Sequence, residues 1–273
     1  MTTSGNDTGR VAWITGASRG MGADTALRLA ELGFDVAITA RDQERLEDVA
    51  TEVEKIGRRA LPLASDLTDR ASISAFADAA ELWGGRCDAV CNIGVYQGPG
   101  ARQLFMDMPI EELALTLEAD VVAPALLCQR AIPSMVAGGA GFIVNMSSAV
   151  VFLDPRGTIK DEGGWALSYA AGKAGIDQIA KLINVELGPA GVRAYTVEPG
   201  FVAYGDNYRD LVRDGGRASV CPAECIGPAI AWLSSSPDAG RLLAKRVHLP
   251  SITEKHGLLA GWEGPGSPYP TRW

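Results

Sequence analysis

Short apolar segments alternate with longer amphipathic segments along most of the chain. Each short segment is a continuous apolar run bounded by polar or glycine-rich turns, which is typical of a strand buried on both faces. The predicted strands are residues 11–15, 35–39, 60–64, 89–93, 141–147, 192–198 and 247–249. The sequence therefore predicts a sheet whose strands are mostly interior.

The amphipathic segments between these runs predict helices. Apolar positions recur at helical spacing, and Gly33 and Gly57 follow two of the segments as stop signals. The predicted helices are residues 23–32, 43–56, 72–82, 110–135 and 169–187. Strands that alternate with helices of this length indicate βαβ units, so we expect an α/β, doubly wound Rossmann fold with a mostly parallel sheet and helices on both faces.

The chain shows no internal repeat and no central linker, so we expect one domain over residues 1–249. Residues 250–273 differ, because they are rich in Gly and Pro and carry Trp262, Tyr269 and Trp273. An aromatic-rich tail is expected to dock, either on the domain or on a neighbouring subunit.

The composition limits the kinds of partner that the protein is expected to bind. Of 273 residues, 47% are hydrophobic and 21% charged, which suits a globular enzyme, and the net charge of −8 disfavours nucleic acid and anionic membranes. The polar start and the lack of about 18 consecutive apolar residues argue against a secretory signal or a membrane span. We expect a cytoplasmic protein whose five cysteines are reduced. We expect no metal site at Cys221 and Cys225, because His248 and His256 lie without ligand spacing.

A glycine-rich turn, Thr15-Gly16-Ala17-Ser18-Arg19-Gly20-Met21-Gly22, joins the first strand to the first helix. A pyrophosphate must approach the backbone closely, and the helix N-terminus offers free N–H groups and a positive dipole end. The position between strand and helix favours a dinucleotide site over an ordinary turn.

The second strand indicates which dinucleotide binds. An acidic residue at its end would hydrogen-bond the ribose and favour NAD(H), but Arg41 follows this strand. Arg41, with Arg19 of the glycine-rich turn, suits a 2′-phosphate. Asp42, the next residue, is the alternative, because its carboxylate could hydrogen-bond the ribose and favour NAD(H). We expect NADP(H) rather than NAD(H).

Four features in this order resemble the short-chain dehydrogenase/reductase family over roughly residues 10–249. They are the glycine-rich turn, Asp66-Leu67 after the third strand, the Tyr-x-x-x-Lys motif of Tyr169 and Lys173, and Pro199-Gly200 after a later strand. The resemblance implies hydride transfer between a nicotinamide coenzyme and a carbonyl or secondary alcohol. With Arg41, it places these residues around the coenzyme: Gly16, Ser18, Arg19, Gly20, Met21, Gly22, Asp66, Leu67, Asn92, Gly94, Tyr169, Lys173, Pro199, Gly200 and Val202.

The chemistry assigns roles to Tyr169, Lys173 and Ser148. A phenol, with an ordinary pKa near 10, needs a positive neighbour to exchange protons at neutral pH. Lys173 lies one helical turn from Tyr169 and can stabilise its phenolate, although a surface pair on an amphipathic helix is the alternative interpretation. By the resemblance, Ser148 rather than Ser147 hydrogen-bonds the substrate oxygen.

Several positions depart from the family pattern. Asp120 replaces an asparagine that supports a water-mediated relay to the lysine, and its carboxylate would bring negative charge near Lys173. Cys91 replaces the first asparagine of Asn-Asn-Ala-Gly, and Ala203 and Tyr204 stand where a threonine is expected. The 149–165 segment is longer than usual, 204–221 is the expected substrate lid, and His248-Leu249-Pro250 replaces a glycine-rich strand end.

These departures leave a second hypothesis open, a weak or inactive NADP(H)-binding relative that acts as a sensor or scaffold. An epimerase or dehydratase is a third, disfavoured by the short C-terminal tail. The family resemblance further implies a homo-oligomer formed by the two long helices. We predict a homotetramer, with an apolar stripe of Leu113, Leu117, Val121 and Leu126.

Overall fold

A computed structural model describes residues 9–161, 164–203 and 220–267 as an α/β fold around a parallel sheet. The seven strands of this sheet follow the order β3-β2-β1-β4-β5-β6-β9. They are β1 Arg10–Thr15, β2 Phe34–Ala40, β3 Ala60–Ala64, β4 Ala89–Asn92, β5 Gly141–Met146, β6 Val192–Glu198 and β9 Val247–His248. The predicted doubly wound parallel sheet is confirmed.

Helices cover both faces of the sheet. They are α1 Gly20–Glu31, α2 Gln43–Lys55, α3 Arg70–Gly84, α4 Ile110–Leu117, α5 Ala123–Ala137, α6 Leu167–Leu187, α7 Ile226–Ser235 and α8 Leu249–His256. Alternate residues of β1 point to opposite faces, so Ile14 joins the core under α1 and α2, whereas Trp13 joins the core under α3 and α5. Both side chains are fully buried, and the burial of Ile14 stabilises the fold by about 1.5–3 kcal/mol.

The predicted 110–135 helix is wrong as a single element. Residues Glu118–Val122 form a π-helical turn between α4 and α5, with Asp120 at its centre. Pro124 has no N–H and cannot donate to the carbonyl of Asp120, so the regular ladder is interrupted at this point. The wider turn places the Asp120 side chain in the interior.

A second, two-stranded sheet escaped prediction because its strands are only three residues long. It pairs β7 Phe201–Ala203 with β8 Val220–Pro222. Most of the predicted lid, including Tyr204, lies outside the described residues.

The C-terminal segment packs on the domain as far as it is described. The strand predicted at 247–249 ends at His248, and Leu249 begins α8. Trp262 is buried in the same core as β1, and His256 stacks on Trp232 with ring centroids 4.5 Å apart. Tyr269 and Trp273 lie outside the described residues.

Candidate active site

All the predicted coenzyme residues except Asn92 line one cleft of about 2100 Å³ at the carboxyl ends of the strands. The connection after β1 runs to β2 on one side of β1, whereas the connection after β3 runs to β4 on the other side, and ligands of such sheets bind at this switch point. The predicted residues that line the cleft are Gly16, Ser18, Arg19, Gly20, Met21, Gly22, Arg41, Asp66, Leu67, Gly94, Tyr169, Lys173, Pro199, Gly200 and Val202. Asn92, Asp120 and Ser148 lie outside its lining.

The glycine-rich turn is shaped by close backbone approach. Gly16 has φ +69°, and a Cβ there would lie 2.7 Å from the Cα of Gly94. A Cβ at Gly22 would overlap the carbonyl oxygen of Gly16. Among the described residues, no side chain caps the N-terminus of α1 at Arg19, and the first turn of this helix lines the cleft.

Thr15, at the end of β1, ties the turn to the neighbouring strand. Its Oγ1 accepts hydrogen bonds from the N–H of Ile93 at 3.1 Å and of Gly94 at 3.0 Å. This role of Thr15 was not predicted, although a polar residue at the end of a central strand is a signal for it. Gly94 is thereby held where any Cβ would lie 2.7 Å from Cδ1 of Leu67.

The charged residues after β2 differ in their availability. Asp42 caps α2, since its Oδ1 accepts the N–H of Arg45 at 3.2 Å and its Oδ2 lies 3.2 Å from the Arg45 guanidinium. Arg41 and Arg19 are both exposed and both line the cleft. Asp42 also lines the cleft, but its carboxylate is engaged by Arg45, whereas the two arginines face the same space without an ion-pair partner among the described residues.

Two predicted residues of the adenine side have internal partners. Asp66 accepts hydrogen bonds at Oδ1 from the N–H and the hydroxyl of Thr68, at 2.9 and 2.8 Å. Asn92 is buried below the cleft, where its amide donates to Oδ1 of Asn145 at 2.8 Å. Asn92 thus braces the ends of β4 and β5, a contact that depends on the fold rather than on local sequence.

Tyr169 and Lys173 are not a surface pair. Lys173 is 3% exposed, its Nζ donates to the carbonyl of Met146 at 3.1 Å, and it lies 5.9 Å from the ring centroid of Tyr169. Both residues line the cleft. A buried ammonium beside a phenol, at the wall of the cleft, is suited to proton exchange.

The two serines after β5 have different environments. Ser147 is buried, and its hydroxyl donates to the carbonyl of Lys173 at 3.1 Å. Ser148 is half-buried, and its oxygen accepts the N–H of Val150 at 3.4 Å, which leaves its own proton for another acceptor. Ser147 lines the cleft and Ser148 does not, so the choice of Ser148 as the substrate-facing hydroxyl stays a prediction.

Asp120 and Lys173 form a buried ion pair. Oδ2 of Asp120 lies 3.6 Å from Nζ of Lys173 and has no hydrogen-bond partner among the described residues. Oδ1 accepts the N–H of Tyr96 at 3.0 Å. The carboxylate is therefore beside the lysine, as the sequence predicted, and it also fixes the loop of Tyr96, for which the sequence predicted no role.

Three groups with raised pKa values, Asp24, Cys91 and Cys128, are not part of the cleft lining. Burial raises the pKa of Asp24 to about 7 and those of the Cys91 and Cys128 thiols to about 12. All five cysteines are free and buried. Over the ranges the structure describes, no cluster of three or more His, Cys, Asp or Glu could hold a metal, and no helix has the length and apolarity to cross a membrane.

Comparison with known proteins gives consistent matches. The sequence model of the short chain dehydrogenases matches residues 10–214. The chain is 35% identical over 193 residues to cis-4-hydroxycyclohexanecarboxylate dehydrogenase of Sinomonas cyclohexanicum, covering 70% of this chain and 73% of that one. It is 32% identical over 219 residues to cyclohexanol dehydrogenase of Rhodococcus sp. (strain TK6), covering 72% and 76%.

Solved structures agree with the fold. A metagenomic short-chain oxidoreductase in complex with NADP matches with a TM-score of 0.69 and 30% identity, covering 88% of this chain and 96% of that one. Acetoin dehydrogenase from Enterobacter cloacae matches with a TM-score of 0.74 and 28% identity, covering 88% and 93%.

Proposed function

The chain belongs to the short-chain dehydrogenase family, and we propose that it is an NADP(H)-dependent oxidoreductase that interconverts a carbonyl and a secondary alcohol. The observation that carries the proposal is the buried Lys173 beside Tyr169 in the wall of the cleft. The cleft fits a dinucleotide, because the glycine-rich turn brings the N-terminus of α1 to its wall, and Gly16, Gly22 and Gly94 allow the backbone of this turn to pack closely on itself.

Tyr169, Lys173 and Ser148 have different roles in the proposed reaction. The bound nicotinamide supplies or accepts the hydride. In the reductive direction, Tyr169 gives its hydroxyl proton to the carbonyl oxygen, and the Lys173 ammonium stabilises the phenolate that remains. Ser148 donates a hydrogen bond to the same oxygen and stabilises the charge that develops there. Alcohol oxidation uses the same groups in reverse.

NADP(H) is proposed over NAD(H) on the basis of the residues after β2. Arg41 and Arg19 are exposed toward the cleft, where they can pair with a 2′-phosphate. Asp42, which would favour a free ribose, also lines the cleft, but its carboxylate caps α2 and pairs with Arg45. The solved relative that contains NADP supports this choice.

A small alicyclic alcohol or ketone is the proposed substrate class. Phe152 and Leu153 are 44% and 54% exposed, although both are large apolar residues, and they follow Ser148 closely. Val95 and Phe201 add exposed apolar surface after β4 and β6. Two relatives are named for alcohols on a cyclohexane ring, which suits apolar surroundings of this kind.

We further propose a cytoplasmic homotetramer in which residues 250–273 dock on the domain of residues 1–249. The stripe of Leu113, Leu117, Val121 and Leu126 is only half-buried, and α6 contributes Leu182 and Val185, which are 59% and 78% exposed. Apolar surface of this kind favours association. Light scattering should give four times the mass of the chain, and a monomer would refute the assembly.

The test of the coenzyme and substrate is a kinetic screen. NADPH oxidation is followed with ketones, aldehydes and quinones, and NADP⁺ reduction with cyclohexanol and its ring-substituted relatives. Arg41→Ala should raise the KM for NADP⁺ about tenfold or more, because a hydrogen bond to a charged group contributes about 1.5–3 kcal/mol, and should spare NAD⁺. The exposed Arg241→Ala is the matched control. Equal use of both coenzymes by the parent protein would overturn the preference.

A further inference from the structure

Tyr96 lies in the loop after β4, in the wall of the coenzyme cleft, and is fixed at both ends. Its backbone N–H donates to Oδ1 of Asp120 at 3.0 Å, and its hydroxyl lies 3.4 Å from Oε2 of Glu112 on α4. A Cβ at Gly98 would overlap the tyrosine hydroxyl, so the glycine provides the space that the phenol occupies. The side chain is half-buried.

Glu112 holds the whole loop as well as the phenol. The same Oε2 accepts the N–H of Gly100 at 3.1 Å, and the carbonyl of Gly100 accepts the hydroxyl of the buried Ser168 at 3.1 Å. Because Ser168 precedes Tyr169 at the start of α6, the loop is anchored on three neighbouring elements. An aromatic side chain held in this way is pre-organised for a ligand in the cleft.

The residues around Tyr96 identify the end of the cleft at which it lies. Gly94, two residues before Tyr96, packs so closely on Leu67 that a Cβ there would lie 2.7 Å from Cδ1 of the leucine, and Asp66 and Arg41 line the same cleft. Asp66 and Leu67 are proposed for the adenine, and Arg41 is proposed for the 2′-phosphate. Burial, the Glu112 carboxylate and the charge of Asp66 raise the pKa of Tyr96, whereas Arg41 lowers it. The raised pKa keeps the hydroxyl protonated near neutral pH, so it can donate to Glu112.

We propose that Tyr96 is a coenzyme-binding residue that contacts the adenosine part of NADP(H), with Glu112 as its positioning residue. This inference rests on the proposed coenzyme but not on turnover. An aromatic ring with a free face stacks on a nucleobase, and such a contact contributes about 1–3 kcal/mol. Glu112 limits the phenol to one orientation and so reduces the entropy lost when the coenzyme binds.

The test measures binding and needs no substrate. NADPH fluorescence titration and calorimetry with adenosine 2′,5′-bisphosphate are carried out on Tyr96→Ala, Tyr96→Phe, Glu112→Ala and Glu112→Gln. Phe105→Ala is the control, because Phe105 is 70% exposed and does not line the cleft.

Tyr96→Ala should weaken both ligands about tenfold, which corresponds to the stacking contribution above. Tyr96→Phe and Glu112→Ala should cost less, since the ring remains, and Glu112→Gln should cost least, since it keeps an acceptor oxygen. A purely structural role for Tyr96 would leave the Kd of the bisphosphate unchanged in a folded variant.

The outcomes separate this inference from the proposed function. Bisphosphate binding by Tyr96→Ala within twofold of the parent protein would overturn the inference while leaving the proposed reaction intact. A parent protein that binds NADPH but turns over no carbonyl would refute the reaction and leave the inference standing. A parent protein that binds neither ligand would refute both.

Discussion

Asp24 is a carboxyl group buried between two helices, and its substitution should change stability in a pH-dependent way. It is 3% exposed on α1; Oδ2 accepts the N–H of Gly227 at 3.1 Å, and Oδ1 lies 3.5 Å from the Arg28 guanidinium. Burial raises its pKa from 3.8 to about 7, Glu224 and Glu31 add to this, and Arg28 and Gly227 oppose it.

Because the pKa of Asp24 is raised in the folded protein, the protein loses stability as pH rises. The folded protein keeps a proton that the unfolded chain releases, so the stability contributed by Asp24 is complete below about pH 4 and is lost as pH rises to about 7. Between pH 5 and the folded pKa near 7 the loss is about 1.4 kcal/mol per pH unit, or about 3 kcal/mol. Asp24→Asn keeps an acceptor for Gly227 and removes the titration.

Urea denaturation at pH 5 and pH 8 measures the effect. The free energy of unfolding of Asp24→Asn, relative to the parent protein, should rise by about 3 kcal/mol between the two pH values. Asp238→Asn is the control, because Asp238 is 60% exposed and paired with Arg241, and its relative stability should change little. An Asp24→Asn difference that is equal at both pH values would refute the reasoning.

Three further predictions concern the cleft. Gly22→Ala should abolish measurable NADPH binding in a calorimetric titration, because the added Cβ overlaps the carbonyl of Gly16, and binding at parental affinity would contradict this use of the turn. Ser148→Ala should lower kcat by about a hundredfold and leave the melting temperature unchanged. Ser147→Ala should mainly lower the melting temperature, because Ser147 is buried and its hydroxyl donates to the carbonyl of Lys173. Equal effects of the two substitutions on kcat would refute this distinction. Asp120→Asn should shift the pH profile of alcohol oxidation toward lower pH, because it removes the negative partner of Lys173. The asparagine keeps an acceptor oxygen for the N–H of Tyr96. An unchanged pH profile would show that the ion pair does not act on the reaction.

The sequence predicted the parts of the site that local pattern determines. The glycine-rich turn and the Tyr169–Lys173 spacing are fixed by a strand-to-helix turn and by one helical repeat, so both could be recognised without a fold. The strand and helix alternation likewise predicted the sheet, because buried parallel strands are apolar throughout.

The parts that the sequence missed depend on contacts between distant segments. Thr15 bonds to residues 78 and 79 positions away, and Tyr96 is fixed by two elements that follow it in the chain. The π-helical turn had one local signal, Pro124, but hydrophobic periodicity alone made 110–135 resemble a continuous helix. The sequence could not show that Asp42 caps α2, because an acidic residue at this position can either cap the helix or bind the ribose.

The most direct test of the central claim is the comparison of Tyr169→Phe with the parent protein in NADPH binding and in carbonyl turnover. If Tyr169 transfers the proton, the variant should bind NADPH as the parent protein does and lose about 10²–10⁴-fold in kcat, since that is the usual contribution of a positioned acid–base group. A variant that keeps the parental kcat would contradict the account. A parent protein that binds NADPH and turns over no carbonyl in the screen would instead support the sensor hypothesis.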